Sequence, residues 1–420
     1  MNSFLQLFQV ADLRKKFFFT LLMVVVYRFG SHVPISGVNL DQLQALFSQS
    51  GVLGFVDLFS GGSLSRFSVF ALGILPFINA SIIMQMMTFV SPKLKEIADE
   101  GMAGHKKISQ YTRYLTVILA FVQGTVMSVG FKSFVSPTIP FGFFLLYSLV
   151  GLVSGAALVM WISEIMTERG IGNGASILIF VGIISQIPFY IKNTITLISG
   201  GASIVGVLAI IAVLLFMIVS IITVQEGQRK VPVQYAKRVV GRRMYAGQNT
   251  FIPLRLIQGG VLPIIFASAL LQFPLVFSEY SGVEMIQNFF SKYYTYDGIA
   301  YNAFFCLLIF FFTYFYTAIS FNPKELSDNI KKHGGFIVGV RPGTPTVKYL
   351  EGIVTKLTLV GALFLAFVAL MPVIASVWTN VTSFRGLGGT ALLIIVGVIL
   401  DFVKQIDSYL LSRRYEGLIE

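Results

Sequence analysis

The sequence predicts an all-α, polytopic membrane protein, and three observations carry that fold class. First, 55% of the 420 residues are hydrophobic and only 12% are charged, with a mean hydropathy of +0.80, whereas soluble domains carry about 25% charged residues. Second, apolar stretches of about 20 residues, the length a helix needs to cross hydrocarbon, recur along the whole chain. Third, lysine and arginine fall in alternate connectors. With ten spans, all but six of the 31 lie on one side. That side holds both termini and is the cytoplasmic one by the positive-inside rule. The net charge of +12 thereby reads as orientation rather than as DNA binding. No short apolar segment with a small-residue cleavage site stands ahead of the first stretch, so the expectation is that it stays as the first helix. The single cysteine, Cys306, sits in an apolar run, which excludes a disulfide framework within the chain.

Taken in order, Arg14-Lys15-Lys16 precedes a first span at about 17–31, and a polar connector runs to Arg66. The second span, Phe67 to Met87, contains Gly73, Pro76, Asn79 and Gln85. Such residues face other helices or a cavity rather than lipid, because hydrocarbon offers no partner for an amide or a freed backbone group. A charged loop, KLKEIADEGMAGHKK, leads to a third span near 111–130 and a fourth near 141–163. Gly170 to Gly174 then form a loop and helix start, with Asn173 as the cap of a fifth span ending near 191. A turn at Ser199-Gly200-Gly201 marks the midpoint, and the sixth span covers about 204–224. The seventh covers about 259–278, the eighth 300–320, the ninth 353–373 and the tenth 387–403.

Orientation accounts for most basic residues, but two cytoplasmic loops ask for more. In the first, about 225–258, Arg229, Lys230, Lys237, Arg238, Arg242, Arg243 and Arg255 face the single acid Glu226. Its Val231, Val233, Tyr235, Val239 and Tyr245 alternate with polar residues, as in a projecting hairpin. In the second, about 321–352, Arg341-Pro342-Gly343 makes a rigid turn that presents one arginine. Both read as docking surfaces for an acidic partner.

The second span, together with TERGIGNGASILIFVGII, GQNTFIPLRLIQGGVLPIIFASALLQFP, NPKELSDNIKKHGGFIVGVRPG and GGTALLIIVGVILDFVKQIDSYL, resembles the SecY family, the channel subunits of the Sec protein-translocation complex. The likeness covers essentially the whole chain and keeps the order of segments. It implies ten transmembrane helices in two pseudosymmetric five-helix halves, residues 1–200 and 201–420, around an hourglass pore. It also implies a plug at about 53–66, hinged at Gly61, Gly62, Ser63 and Arg66.

By the same resemblance, Ile78, Ile82, Ala175, Ile179, Ile265 and Ile394 form the ring at the waist, and Asn173 lies near the pore. Each isoleucine alone reads as ordinary packing, although Ile78 and Ile82, like Ala175 and Ile179, share a helix face. Ala175 leaves the ring smaller on one side. Asn79, Gln85, Ser268 and Gln272 become polar members of a lateral gate between spans two and three and spans seven and eight. For the two glutamines, ordinary interhelical hydrogen bonding is the competing reading. Arg242, Arg243 and Arg341 become contacts for SecA, the motor ATPase, or for the ribosome. SecE and SecG are the expected companion subunits, and signal sequences, unfolded polypeptides and membrane lipid the other partners. The implied location is the bacterial inner membrane.

Other classes explain the same residues less well. An ion-coupled secondary transporter needs an ionisable group near mid-membrane, whereas the acids, such as Glu164 and Asp401, lie in loops or at span ends. An intramembrane protease needs a buried catalytic pair, and His32, His105 and His333 all fall in loops. The sequence offers no metal or cofactor motif and no phosphate-binding GxxxxGK[ST]. The expectation is therefore a channel, not an enzyme.

Overall fold

The computed structural model describes residues 10–49, 57, 60–200, 203–235, 238–240, 243–245, 249–280, 298–379 and 388–416. Helix α1 spans Ala11–Gly30, α2 Leu40–Gln49, α3 Leu75–Val90, α4 Pro92–Asp99, α5 Met102–Gly130 and α6 Phe141–Arg169. They are followed by α7 (Gly174–Ser199), α8 (Ile204–Glu226), α9 (Leu262–Tyr280), α10 (Ile299–Ser320), α11 (Pro323–Lys332), α12 (Thr344–Thr379) and α13 (Gly389–Glu416). Each of the ten expected spans is thus helical in whole or in part. Among the described residues, seven helices are long and apolar enough to cross a bilayer on their own, and the bent pair α3–α4 makes an eighth.

The second span differs from its expectation. Phe67 to Ile74 form turns, and only Leu75 to Val90 are helical. Phe67 and Gly73 take φ values of 45° and 56°, outside the right-handed region, and Pro76 supplies the first-turn geometry that starts a helix. The turn segment is held instead by Val33 to Ile35: Ile35 N–H donates to the Phe67 carbonyl at 2.9 Å and Val69 N–H to the Val33 carbonyl at 3.0 Å. The charged loop after the span is also corrected, because most of it is helix. Ser91, extended because Pro92 follows it, turns α3 into α4 through 101°. Gly101, with φ 75°, then allows α5 to begin at Met102, nine residues before the expected span.

The helices pack around one large apolar cluster that draws residues from α1, α3, α6, α7, α8, α9, α10, α12 and α13. Among the described residues, the first five spans meet the last five along two seams. In one, α9 packs on α3 and α5, and the Phe89 ring of α3 meets Phe315 of α10 edge-on at 5.8 Å. In the other, α13 packs on α7, Gly172 N–H donates to Gln405 Oε1 at 2.6 Å, and Lys16 of α1 lies over the Tyr409 ring at 4.2 Å.

The two basic loops share a single small sheet. β1 (Gln228–Tyr235) pairs antiparallel with β4 (Asn249–Arg255), in register from Gln228↔Arg255 to Gln234↔Asn249, while the short β2 (Arg238–Val240) and β3 (Arg243–Tyr245) pair with each other. β5 (Gly335–Ile337), from the second loop, adds to the other edge of β1 and gives the order β4-β1-β5. Val231, Val233 and Ile337 bury their side chains against Ile330 of α11 and Leu350 and Val354 of α12, which leaves the alternate positions, Lys230, Pro232 and Phe336 among them, outward.

Candidate functional site

The six residues expected at a waist come from four helices. Ile78 and Ile82 of α3, Ile179 of α7, Ile265 of α9 and Ile394 of α13 are all buried, and all belong to the one large apolar cluster. Ala175 is half-buried and packs against it. Local sequence sets the start of α7: Asn173 Oδ1 accepts the Ser176 N–H at 3.2 Å, and Gly174 N–H donates to Thr167 Oγ1 at 2.9 Å. Gly174 lies so close to α6 that a Cβ there would sit 2.0 Å from the Ser163 carbonyl oxygen. That contact fixes the height at which Ala175 and Ile179 enter the cluster.

Of the expected plug, residue 57 and residues 60–66 are described. Asp57 is buried, and its Oδ1 accepts from Ser60 Oγ at 2.9 Å, Leu64 N–H at 3.0 Å and Ser65 N–H at 3.1 Å. Burial pushes this carboxyl up from its ordinary pKa, and the hydrogen bonds from Ser65, Ser60 and Leu64 act against that. Gly61 and Gly62 have φ values of 67° and 84°, which favour glycine, so the chain turns sharply where a hinge is expected. Ser63 is fully buried and Arg66 half-buried.

Residues that the sequence reading did not single out hold this turn. Arg28 Nη1 donates to the Gly61 carbonyl at 2.9 Å and to Ser185 Oγ of α7 at 3.0 Å. Tyr27, stacked on Phe70 with centroids 5.9 Å apart, directs its hydroxyl to the Ser60 carbonyl at 3.4 Å. One signal was available in the sequence, since Arg28 is among the six basic residues on the wrong side.

Of the expected gate residues, Gln85 and Ser268 bond within their own helices. Gln85 Nε2 donates to Ser81 Oγ at 3.2 Å, and Ser268, which is buried, donates to the Ile265 carbonyl at 2.8 Å. The interhelical bond weighed for Gln85 is therefore not the one formed. Asn79 is half-buried, and the Gln272 side chain lies outside the described residues.

On the loop side, Arg341 is exposed, and its carbonyl accepts from Thr346 Oγ1 at 2.9 Å, which pins the Pro342-Gly343 turn to the start of α12. Exposed Phe251 carries Lys230 Nζ 4.7 Å from its ring centre. Arg243 lies in β3 without a described side chain, and Arg242 lies outside the described residues. Of the acids weighed for transport, Glu164 pairs with Arg113 at 2.8 Å and Asp401 is exposed. Neither forms a buried ion site.

Comparison with known proteins places this geometry. The SecY family model matches residues 68–403. The chain is 43% identical to the protein translocase subunit SecY of Aquifex aeolicus and 39% identical to that of Thermotoga maritima, in each case over 100% of this chain and over 100% and 98% of the relative. Among solved structures, it resembles one described as the structure of a protein conducting channel, with a TM-score of 0.65 at 15% identity, covering 94% of this chain and 91% of the other. Sec61 in the canine ribosome–channel complex from the endoplasmic reticulum gives a TM-score of 0.62 at 14% identity over the same shares. A continuous match to the family model and full-length identity of this order are the marks of common descent, and the chain belongs to the SecY family.

Proposed function

We propose that this chain is the central protein-conducting channel of the Sec translocon. It passes unfolded secretory polypeptides across the membrane and releases transmembrane segments sideways into lipid. The observation that carries the reading is that five isoleucines from four helices are all buried within one apolar cluster. A collar of branched aliphatic side chains closes around an extended chain and excludes ions by dewetting, and it offers no hydrogen bond that would retain a substrate. Such a channel is indifferent to the sequence it conducts.

The remaining roles follow from position. Residues 1–200 and 201–420 act as two halves, and the seam of α3 and α5 against α9 and α10 is the lateral gate, where a signal sequence intercalates. The segment about 53–66 is the plug, swinging on Gly61 to Ser63. The basic sheet and the turn at Arg341 dock SecA or the ribosome, with SecE and SecG as companion subunits. Energy comes from those partners, and the chain itself gates passively. It lies in the bacterial inner membrane with both termini in the cytoplasm.

The test traps a secretory precursor midway and attempts disulfides from a cysteine in the precursor to Ile82→Cys or Ile265→Cys. Both positions should cross-link while lipid-facing controls such as Val219→Cys do not. Cross-linking at the controls alone would remove the pore from this cluster.

A further inference from the structure

Two of the six basic residues on the outer side, Arg28 and Arg66, come to the same short segment. Arg28 approaches the position of a Cβ on Gly61 to 3.2 Å and Arg66 that on Gly62 to 4.0 Å. An arginine at the outer end of a first span works against the orientation of the whole chain. Its presence at position 28 calls for a local task, and the geometry supplies one.

The Arg28 guanidinium bridges two elements, donating to the Gly61 carbonyl at 2.9 Å and to Ser185 Oγ at 3.0 Å. Ser185 is free to accept, because its own proton goes to the Gly182 carbonyl at 2.6 Å. The segment also lies directly on α7, since a Cβ on Gly61 would come within 2.9 Å of Gly182 Cα. We propose that Arg28 is the positioning residue that seats the plug, its guanidinium tying the plug carbonyl of Gly61 to Ser185 on the helix that brings Ile179 to the waist. This rests on the plug reading given above.

Arginine suits the task for physical reasons. Its planar head keeps its charge at any working pH and fixes the two hydrogens of Nη1 in direction, one for each acceptor. A charged donor also makes the stronger bond to a neutral carbonyl. Lysine at the same place has the charge without the fixed direction. When the plug leaves, Gly61 loses this partner and water takes its place, so the strength of the bridge sets how readily the resting channel opens.

The experiment uses the complex reconstituted in planar bilayers, with Cys306→Ser as background and a reporter thiol placed by Ser63→Cys. Arg28→Gln should raise resting conductance, and the labelling rate of that thiol by an impermeant reagent on the outer side, by about tenfold or more. Arg28→Lys should fall between. Ser185→Ala should give a smaller rise and, added to Arg28→Gln, no further rise, because both remove one bridge. Excision of residues 53–64 is measured in parallel. If excision raises conductance and Arg28→Gln leaves conductance and labelling at the wild-type level, the clamp is wrong and the plug stands. If excision changes nothing, the plug reading itself fails and the clamp with it. Should Arg28→Gln not assemble, Ser185→Ala decides, and unaltered labelling overturns the proposal.

Discussion

Isoleucine suits a seal around a moving chain because it fills space without offering a hydrogen bond. Burying one such side chain contributes about 1.5–3 kcal/mol, and about 1.4 kcal/mol is a tenfold change in an equilibrium. Replacing Ile78 and Ile82 together by glycine should therefore raise resting ion conductance at least tenfold in planar bilayers; unchanged conductance would count against their place in the seal. Gly174 directly precedes Ala175 and sets the start of α7 against α6. A Cβ there meets the Ser163 backbone oxygen at 2.0 Å, and backbone cannot give as a flexible side chain does. Gly174→Ala should lower the yield of folded complex and its melting temperature, read by thermal unfolding in detergent, whereas Gly142→Ala, with open space around it, should not. The helical spacing of Ile78 and Ile82, and the cap at Asn173, were legible in the sequence because both are local. That Gly174 is the glycine pressed on α6, and that Arg28 reaches residue 61 and Ser185 together, were not, because those contacts depend on how separate elements pack.

At the scale of elements, hydrocarbon makes spans legible, since it tolerates only backbone that is satisfied internally. The ends were less so. Residues 67–74 are as apolar as the helix that follows, yet they turn, because Gly73 and Phe67 leave the right-handed region and the strand-like segment 33–35 takes their backbone bonds. Hydropathy cannot see that difference. The hairpin of β1 and β4 announced itself by alternation, but β5 did not, being only Gly335–Ile337 and about a hundred residues away. Ile337 is 1% exposed and joins the two basic loops into one platform. A carboxylate buried there without a partner is costly, by several kcal/mol. Ile337→Asp should thus loosen both loops at once and weaken binding of reconstituted vesicles to the motor ATPase or ribosome. Arg341→Glu should weaken the same binding without loosening the sheet. Wild-type binding by both variants, with the protein still inserted, would remove the sheet from the docking role.

For the whole molecule, the two seams differ in chemistry, and that difference predicts which of them parts. The seam of α3 and α5 on α9 and α10 includes an aromatic contact, Phe89 on Phe315, and the isoleucines of α3 share one apolar cluster with Ile265. Apolar surfaces part without leaving a buried polar group unpaired, and on parting they can rest against lipid or a signal sequence at little loss. The other seam is polar and directional at one end, with Gly172 N–H on Gln405 and Lys16 on Tyr409. Opening it would forfeit those bonds. A molecule that opens sideways should therefore part at the first seam and pivot on the second. Thiols placed by Phe89→Cys and Phe315→Cys, joined by a short cross-linker in a Cys306→Ser background, should block both export and membrane insertion until the linker is cleaved. The same linker between Lys16→Cys and Tyr409→Cys should leave both activities intact. Insertion that proceeds through the first lock, or stops at the second, would assign gate and pivot the other way round.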